Sequence, residues 1–365
     1  MDAREAAARV AAWAAARRAV SNTDFMADPF GGMAEAGLFR LGIPAPYGDD
    51  GGFAAIAAAE AAIIAETGLP GLGTSWAGRQ LTARFFLWSF GSEEQKAQWL
   101  PRLASGGIAP AICISEPGIG AHPKALTTRA HADGDGFVIR GEKAWATNGP
   151  IAGLFIVVAI TSEEGGRKRY GAFLVPRETP GLSLKEMPEF RDLLRPSGHC
   201  GVVLEDVRVP ASALLGPEGR AYEAMALPFR DVEDGLGTSS LCGGLDWLIA
   251  AFARLPAPEI AACEDFAILL GGLRAEADVA RAGAEAVVAA LDAGRLRDAA
   301  GTLMGVRLIA ASILARVSGH EAYRAGAGDA IQRVVRDLDA LLGVARGPRL
   351  ARQAALGRSL LGSAP

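Results

Sequence analysis

Twice along this chain the hydrophobic rhythm changes period, and that alternation limits the possible folds more than any other feature. Up to about residue 108, alanine-rich segments carry apolar residues three and four apart, broken by short Gly/Pro loops such as IPAPYGDDGG at 43–52. This is the rhythm of helices. GSEEQKAQWLPRLASG at 91–106 reads as one complete short helix: Ser92 caps it, Gln95 follows three residues on, Trp99, Leu100 and Leu103 face one side, and glycine stops it. Between 109 and 216 the text turns to short β-rich runs, ALTTRAHA, GFVIRGEKAW, LFIVVAI, YGAFLVP and GVVLEDVRV, with turn residues Asp133 to Gly136 between two of them. From about 219 onward long amphipathic helices return, with arginines on their outer faces.

No helix of crossover length separates the β-runs, so a doubly wound parallel sheet is excluded. The expected fold is α+β: an N-terminal helical domain over 1–108, a central antiparallel β-barrel or sandwich over 109–216 and a C-terminal helical bundle over 217–365. With 365 residues, half of them hydrophobic and 21% charged, the chain buries a large core without staples, and disorder is excluded.

Charge narrows the partners. A formal net charge of −4 with no basic stripe argues against nucleic acid. Cys113, Cys200, Cys242 and Cys263 show no metal-ligand spacing to one another or to a histidine, so no metal is expected, and they read as reduced, mostly buried thiols of a cytoplasmic protein. Apolar runs such as 54–67 are interrupted by Glu60 and Glu66, so no membrane span is expected, and the first helix reads as amphipathic rather than as a signal peptide.

Two segments hold the strongest chemical signals. Ile114 to Gly120 end a strand in a glycine-bearing turn whose N–H groups can face an anion or a heterocycle edge. GEKAWATNGP at 141–150 puts Trp145 and Thr147 two residues apart on a strand, offering an indole face and a hydroxyl to one planar ligand.

These segments, with GLFRLGIPAPYGDDGG at 37–52, FGSEEQKAQWLPRLASG at 90–106, GAFLVPRETPGL and VVLEDVRVPASALLGPEGRAY at 202–222, make the chain resemble the acyl-CoA dehydrogenase family over about residues 30–245. The resemblance implies FAD as cofactor, with Ile112, Ile114, Ser115, Trp145 and Thr147 on the flavin side. Ala121 stands where the family motif, which usually ends Gly-Ser-Asp, carries a hydroxyl; here the residues are Gly120, Ala121 and His122. It also implies α,β-dehydrogenation of an acyl thioester to the enoyl thioester, a flavoprotein electron acceptor, and a homodimer or tetramer assembled through the last domain.

The family's base is a glutamate, and its usual place, eight residues before an Arg-Asp pair, falls on Gly328 if that pair is Arg336-Asp337. Asp329 beside it, with Gln332 three residues on, reads as a helix N-cap. Some members carry the glutamate ten residues before a glycine on the first helix of the last domain; Glu233 stands ten before Gly243, followed by Asp234 where those members have arginine. Glu233 is thus the candidate base, set against a solvated glutamate in an acidic turn with Asp231 and Asp234. Two segments that serve flavin across a subunit interface depart from the pattern, at 253–266 and 341–357, where Arg346, Arg349 and Arg352 are either pyrophosphate contacts or a solvated face. The alternative function is a non-catalytic or half-site subunit paired with a complete homologue. An oxygen-using flavin enzyme is a third reading without a residue signal of its own.

Overall fold

A computed structural model of the chain describes residues 1–255, 258–344 and 346–361. The first layer comprises α1 (Ala3–Arg17), α2 (Asn22–Ala27), α3 (Gly52–Thr67), α4 (Pro70–Leu81), which continues in a π-helical turn over Thr82–Trp88, and α5 (Glu93–Ala104). Local chemistry sets their ends. Asp2 accepts from Glu5 N at 2.8 Å to start α1, and Ser92 and Gln95 form the reciprocal capping box of α5.

Eight strands follow: β1 (Ala109–Cys113), β2 (Arg129–Asp133), β3 (Gly136–Thr147), β4 (Ala152–Glu164), β5 (Arg167–Pro176), β6 (Leu182–Glu186), β7 (His199–Pro210) and β8 (Leu214–Leu215). They run in the order β6-β7-β3-β2-β4-β5-β8, with β1 beside β4. The sheet is mixed, which corrects the antiparallel expectation: β1 pairs parallel to β4 (Ala111 opposite Phe155), and β2 meets β4 in the same sense at Arg129. The hairpin of β2 and β3 lies between β1 and β4 in sequence, long enough to bring the chain back in the same direction without a helix.

Strand β4 is buried on both faces. Leu154, Ile156, Val158 and Ile160 pack on the helical layer, while Phe155, Val157 and Ala159 enter the sheet's own core with Phe173, Val202 and Leu204. This explains why LFIVVAI is a continuous apolar run instead of an alternating one.

The last layer holds α6 (Leu227–Phe252), α7 (Pro258–Ala261), α8 (Glu264–Asp292), α9 (Ala300–Gly319), α10 (Glu321–Gly326), α11 (Asp329–Gly343) and α12 (Arg346–Leu361). Leu241, Leu245, Leu248 and Phe252 of α6 meet Leu273, Ile313, Val317, Val334 and Leu338. The GGLDWLIAAF stripe is therefore core, as its helical spacing predicts. One segment, Leu296–Gly319, is long and apolar enough to cross a membrane by length and composition, with mean hydropathy 1.5 and a third of its window buried, against the expectation of no such stretch. It carries Arg307, which pairs with Asp234 inside the bundle.

α6 and α3 lie unusually close. A Cβ on Gly243 would come within 2.3 Å of the Ala61 carbonyl oxygen, so only glycine permits the approach. At this contact Glu60 is buried, accepting from Ser240 Oγ at 2.6 Å, and burial pushes its carboxyl up to about 8. The folded chain thus keeps a proton that the unfolded chain releases above its ordinary value of 4.5, so stability falls as pH climbs from about 4.5 to 8. Glu60→Gln is expected to stabilise the fold at pH 7, by up to about 3 kcal/mol, with the gain vanishing toward pH 4.5. Urea midpoints at the two pH values check this, and an equal gain at both would refute it.

Candidate active site

The two signal segments are locked to each other by a buried ion pair that sequence reading missed. Lys143 Nζ donates to Glu116 Oε1 and to the Ile114 carbonyl, each at 3.0 Å, and both charged side chains are shut off from solvent. Glu116 further accepts from Thr127 N at 2.7 Å, Thr127 Oγ1 at 2.8 Å and Thr128 N at 2.9 Å, and Ala144 N donates to Ser115 O at 2.9 Å. Burial would raise the Glu116 carboxyl, but the Lys143 charge and these hydrogen bonds outweigh it and hold it near 2. Ser115 is thereby fixed beside the strand that carries Trp145 and Thr147.

Trp145 departs from the regular strand assumed for it. The β3–β7 register shifts between Lys143 and Ala146, and Trp145 sits at φ 57°, a left-handed conformation rare for a bulky residue. Its pairing with Thr147 on one face is therefore the work of a bulge, not of simple alternation. The residue stays 40% exposed, and its backbone N–H donates to Met187 Sδ at 3.4 Å. Beneath the ring lies the glycine turn, where Gly118 and Gly120 have φ of 73° and 62° and a Cβ on Gly120 would come within 3.9 Å of the indole.

Ile112, Ile114, Ser115 and Thr147 are half-buried on the same domain. Among the described residues, the Ser115 and Thr147 hydroxyls have no hydrogen-bond partner. Ser197 Oγ is buried without one as well, next to the Asn148 N to Gly198 O hydrogen bond of 2.9 Å. An open aromatic face, a glycine turn and idle hydroxyls fit the edge and face of a planar heterocycle such as a flavin. Ala121 is exposed and offers no side-chain donor; its carbonyl accepts from Tyr222 Oη at 2.7 Å, which ties this loop to the turn leading into α6.

Glu233 belongs to α6 and not to an acidic turn. Its neighbours are spoken for: Asp234 accepts from Arg307 at 2.6 Å and from Arg352 at 2.9 Å, and Asp231 pairs with Arg352. Solvent reaches Glu233, yet protein crowds it so closely that burial, with the Asp234 charge adding, pushes its carboxyl up to about 7. A carboxyl raised toward neutral pH is the kind of group that can serve as a general base.

Other expectations need correction. Gly328, not Asp329, is the N-cap of α11; Asp329 occupies the first turn, where its charge favours the helix dipole. Arg336 and Asp337 serve as a tether: Arg336 Nη2 donates to the Asp192 carbonyl at 2.8 Å, and buried Asp337 accepts from Leu194 N at 3.0 Å. Arg352 is neither free for a pyrophosphate nor simply solvated, and Arg349 donates to the Leu342 carbonyl. Within 253–266 and 341–357, residues 256, 257 and 345 lie outside the described ones. Cys113, Cys200 and Cys242 are buried and Cys263 is exposed.

Two clefts open elsewhere. The larger, 590 Å³, lies among α9, α10 and α11 around Tyr323, Gln332 and Arg336, and none of Ser115, Trp145, Thr147 or Glu233 lines it. The other, 420 Å³, is lined by Arg177, Lys185, Met187, Arg191 and His199, and adjoins the site through Met187 and through His199, which pairs with Thr147 across the strands. The second cleft is therefore the one that neighbours the Trp145 and Thr147 strand.

A helical layer, a sheet with an open indole over a glycine turn, and a helical bundle carrying Glu233 make up the chain. Residues 2–107 match the family described as acyl-CoA dehydrogenase, N-terminal domain, and residues 111–207 the acyl-CoA dehydrogenase, middle domain. The chain belongs to the acyl-CoA dehydrogenase family. It is 42% identical over 134 residues to the short/branched chain specific acyl-CoA dehydrogenase of Bos taurus mitochondria, covering 37% of this chain and 31% of that protein. Against the first curated relatives the matched region spans only about a third to a half of their length. Two solved structures share the fold across nearly the whole chain. The butyryl-CoA dehydrogenase of Megasphaera elsdenii has TM-score 0.84 at 20% identity, covering 98% of each chain. A glutaryl-CoA dehydrogenase of Mycobacterium smegmatis in complex with FADH2 has TM-score 0.82 at 23% identity, covering 100% of this chain and 95% of that one.

Proposed function

We propose that this protein is an FAD-dependent dehydrogenase of an acyl thioester, with Glu233 as the base. The feature that supports the reading is Glu233 itself: it stands on α6, the helix where part of the family keeps its base, without an ion pair among the described residues, while Asp231 and Asp234 beside it are held by Arg352 and Arg307. Ser115, Trp145 and Thr147 would hold the flavin, and bound FAD supplies an acceptor for the hydride that leaves the β-carbon. Glu233 takes the α-proton, and the apolar crowding that raises its carboxyl matches its basicity to that weakly acidic carbon. Ionised Glu233 is the working form, so turnover rises as pH climbs through about 7.

Electrons then pass to a flavoprotein acceptor, and the chain works as an oligomer assembled through its last domain. Ile268 and Val279 on α8 and Leu308 on α9 are exposed apolar side chains on that domain, consistent with such contacts. A second reading, a non-catalytic subunit beside a complete homologue, has one observation in its favour: Arg352 and Arg349 are engaged within their own chain, which leaves the pyrophosphate side poor in free cations.

The absorption spectrum of the purified protein, followed by anaerobic mixing with butyryl-CoA, separates the two. A flavin spectrum that bleaches supports the enzyme. A protein that carries no flavin, or flavin that no acyl-CoA bleaches, sinks it.

A further inference from the structure

The loop that follows Glu116, residues 117–126, is held by its own backbone carbonyls. Lys168 Nζ donates to the carbonyls of Lys124 at 2.8 Å and Leu126 at 2.7 Å, Tyr170 Oη donates to that of Pro123, and Tyr222 Oη to that of Ala121 at 2.7 Å. Lys168 and Tyr170 belong to β5 and fasten the loop to its own sheet. Tyr222 does something different. It opens the π-helical turn Tyr222–Ala226 that runs directly into α6, and among the described residues it is the one side chain outside the sheet domain that hydrogen-bonds to this loop. Tyr170 and Tyr222 are 2% and 6% exposed, and their ring centroids lie 5.3 Å apart. A buried phenol needs an acceptor, and Ala121, with only a methyl for a side chain, supplies one through its carbonyl. The stacked rings account for the packing; the Tyr222 hydroxyl adds a link of fixed length between two parts of the molecule.

That link joins the two halves of the site. On the loop side, Ala121 follows Gly120, the residue under the Trp145 indole, and the loop starts at Glu116, whose ion pair with Lys143 fixes it to the Trp145 strand. On the other side, Glu233 stands on α6 about three turns, ~16 Å, past Tyr222. Hydrogen bonds elsewhere between the sheet domain and the helices reach α4, α5 and α11, through Ser75, Gln95, Arg336 and Asp337. The base helix is tied by Tyr222.

We propose that Tyr222 is a positioning residue: its hydroxyl pins the glycine turn under Trp145 to the entrance of α6 and so sets how Glu233 stands toward a ligand held on the sheet. This rests on the reading of Glu233 as the base. Proton abstraction from carbon depends on close placement of the two groups, and an error of about 1 Å made far from the chemistry costs about a hundredfold in rate.

Amide hydrogen exchange of the full-length protein without ligand, together with flavin bleaching by butyryl-CoA, tests it. Tyr222→Phe keeps the ring stack and removes only the hydroxyl. Residues 118–126 and the first turns of α6 are expected to exchange faster in this variant than in wild type, with flavin content unchanged and bleaching about tenfold to a hundredfold slower. Tyr170→Phe loses a bond to the same loop from the sheet side; it is expected to loosen the loop, leave exchange in α6 as in wild type and bleach at close to the wild-type rate. Wild-type exchange in α6 of Tyr222→Phe overturns the proposal, and so does unchanged bleaching. Equal slowing in the two variants shows that only the mobility of the loop matters and overturns it too. If wild type carries no flavin, or flavin that butyryl-CoA never bleaches, the dehydrogenase reading falls and exchange alone decides: joint loosening of loop and α6 in Tyr222→Phe upholds the pin, and loosening of the loop alone overturns it.

Discussion

Glu233→Gln is expected to leave the fold and flavin uptake intact while slowing bleaching of the bound flavin by an acyl-CoA by about two to four orders of magnitude, the usual cost of losing a general base. The amide keeps the shape of the carboxyl and removes only its basicity. The neighbouring carboxylates do not replace it: Asp231 and Asp234 are held by Arg352 and Arg307, and Asp329 lies in the first turn of another helix, α11. The substitution also removes a group whose folded value, about 7, lies above its ordinary 4.5, so the variant gains stability near neutral pH. Stopped-flow absorbance at the flavin band measures the rate. Bleaching as fast as in wild type would falsify the role of Glu233.

Lys143→Met carries the second large effect. It strands the Glu116 carboxylate in a site closed to solvent, and removing one partner of a buried pair costs about 3–5 kcal/mol. Three hydrogen bonds from Thr127 and Thr128 remain to Glu116 and place the loss toward the lower end of that range. A functional loss accompanies it. The lysine also holds the Ile114 carbonyl, so without it the Ser115 segment loosens from the Trp145 strand, and flavin retention should fall even at temperatures where the variant stays folded. Lys143→Arg keeps the charge and restores part of both properties. Urea unfolding and the ratio of flavin to protein after gel filtration read the two separately, and unaltered retention in a folded Lys143→Met protein would contradict the positioning role.

Both predictions involve groups whose importance depends on what surrounds them, which bears on how far a sequence can be read. The capping box at Ser92 and Gln95, the core stripe of α6 and the alternation of helical and β layers are local matters: a period, a cap and a turn residue act over a few positions, and each was legible from the residues alone. Ser115, Trp145 and Thr147 were singled out from their segments alone, and the structure joins those segments through the Ala144 N to Ser115 O hydrogen bond.

Other features became visible only in three dimensions. The parallel pairing of β1 with β4 depends on where the chain returns after a hairpin, which no period encodes. The left-handed Trp145 arises from a bulge that the opposing strand imposes. Arg352 and Asp234 are 118 residues apart, and their ion pair turns an expected solvated helix into a brace beside Glu233. Charge pairing and burial are sums over neighbours brought from distant parts of the chain, so the same letter, Glu or Arg, reads identically whether it is solvated, paired or stranded. By itself the sequence determined the layers and their order. The tertiary structure alone decided that Lys143 holds Glu116 ionised, that burial raises the carboxyls of Glu60 and Glu233, and that Arg79 Nε is buried without a partner among the described residues, because each depends on the density and charge that folding assembles around it.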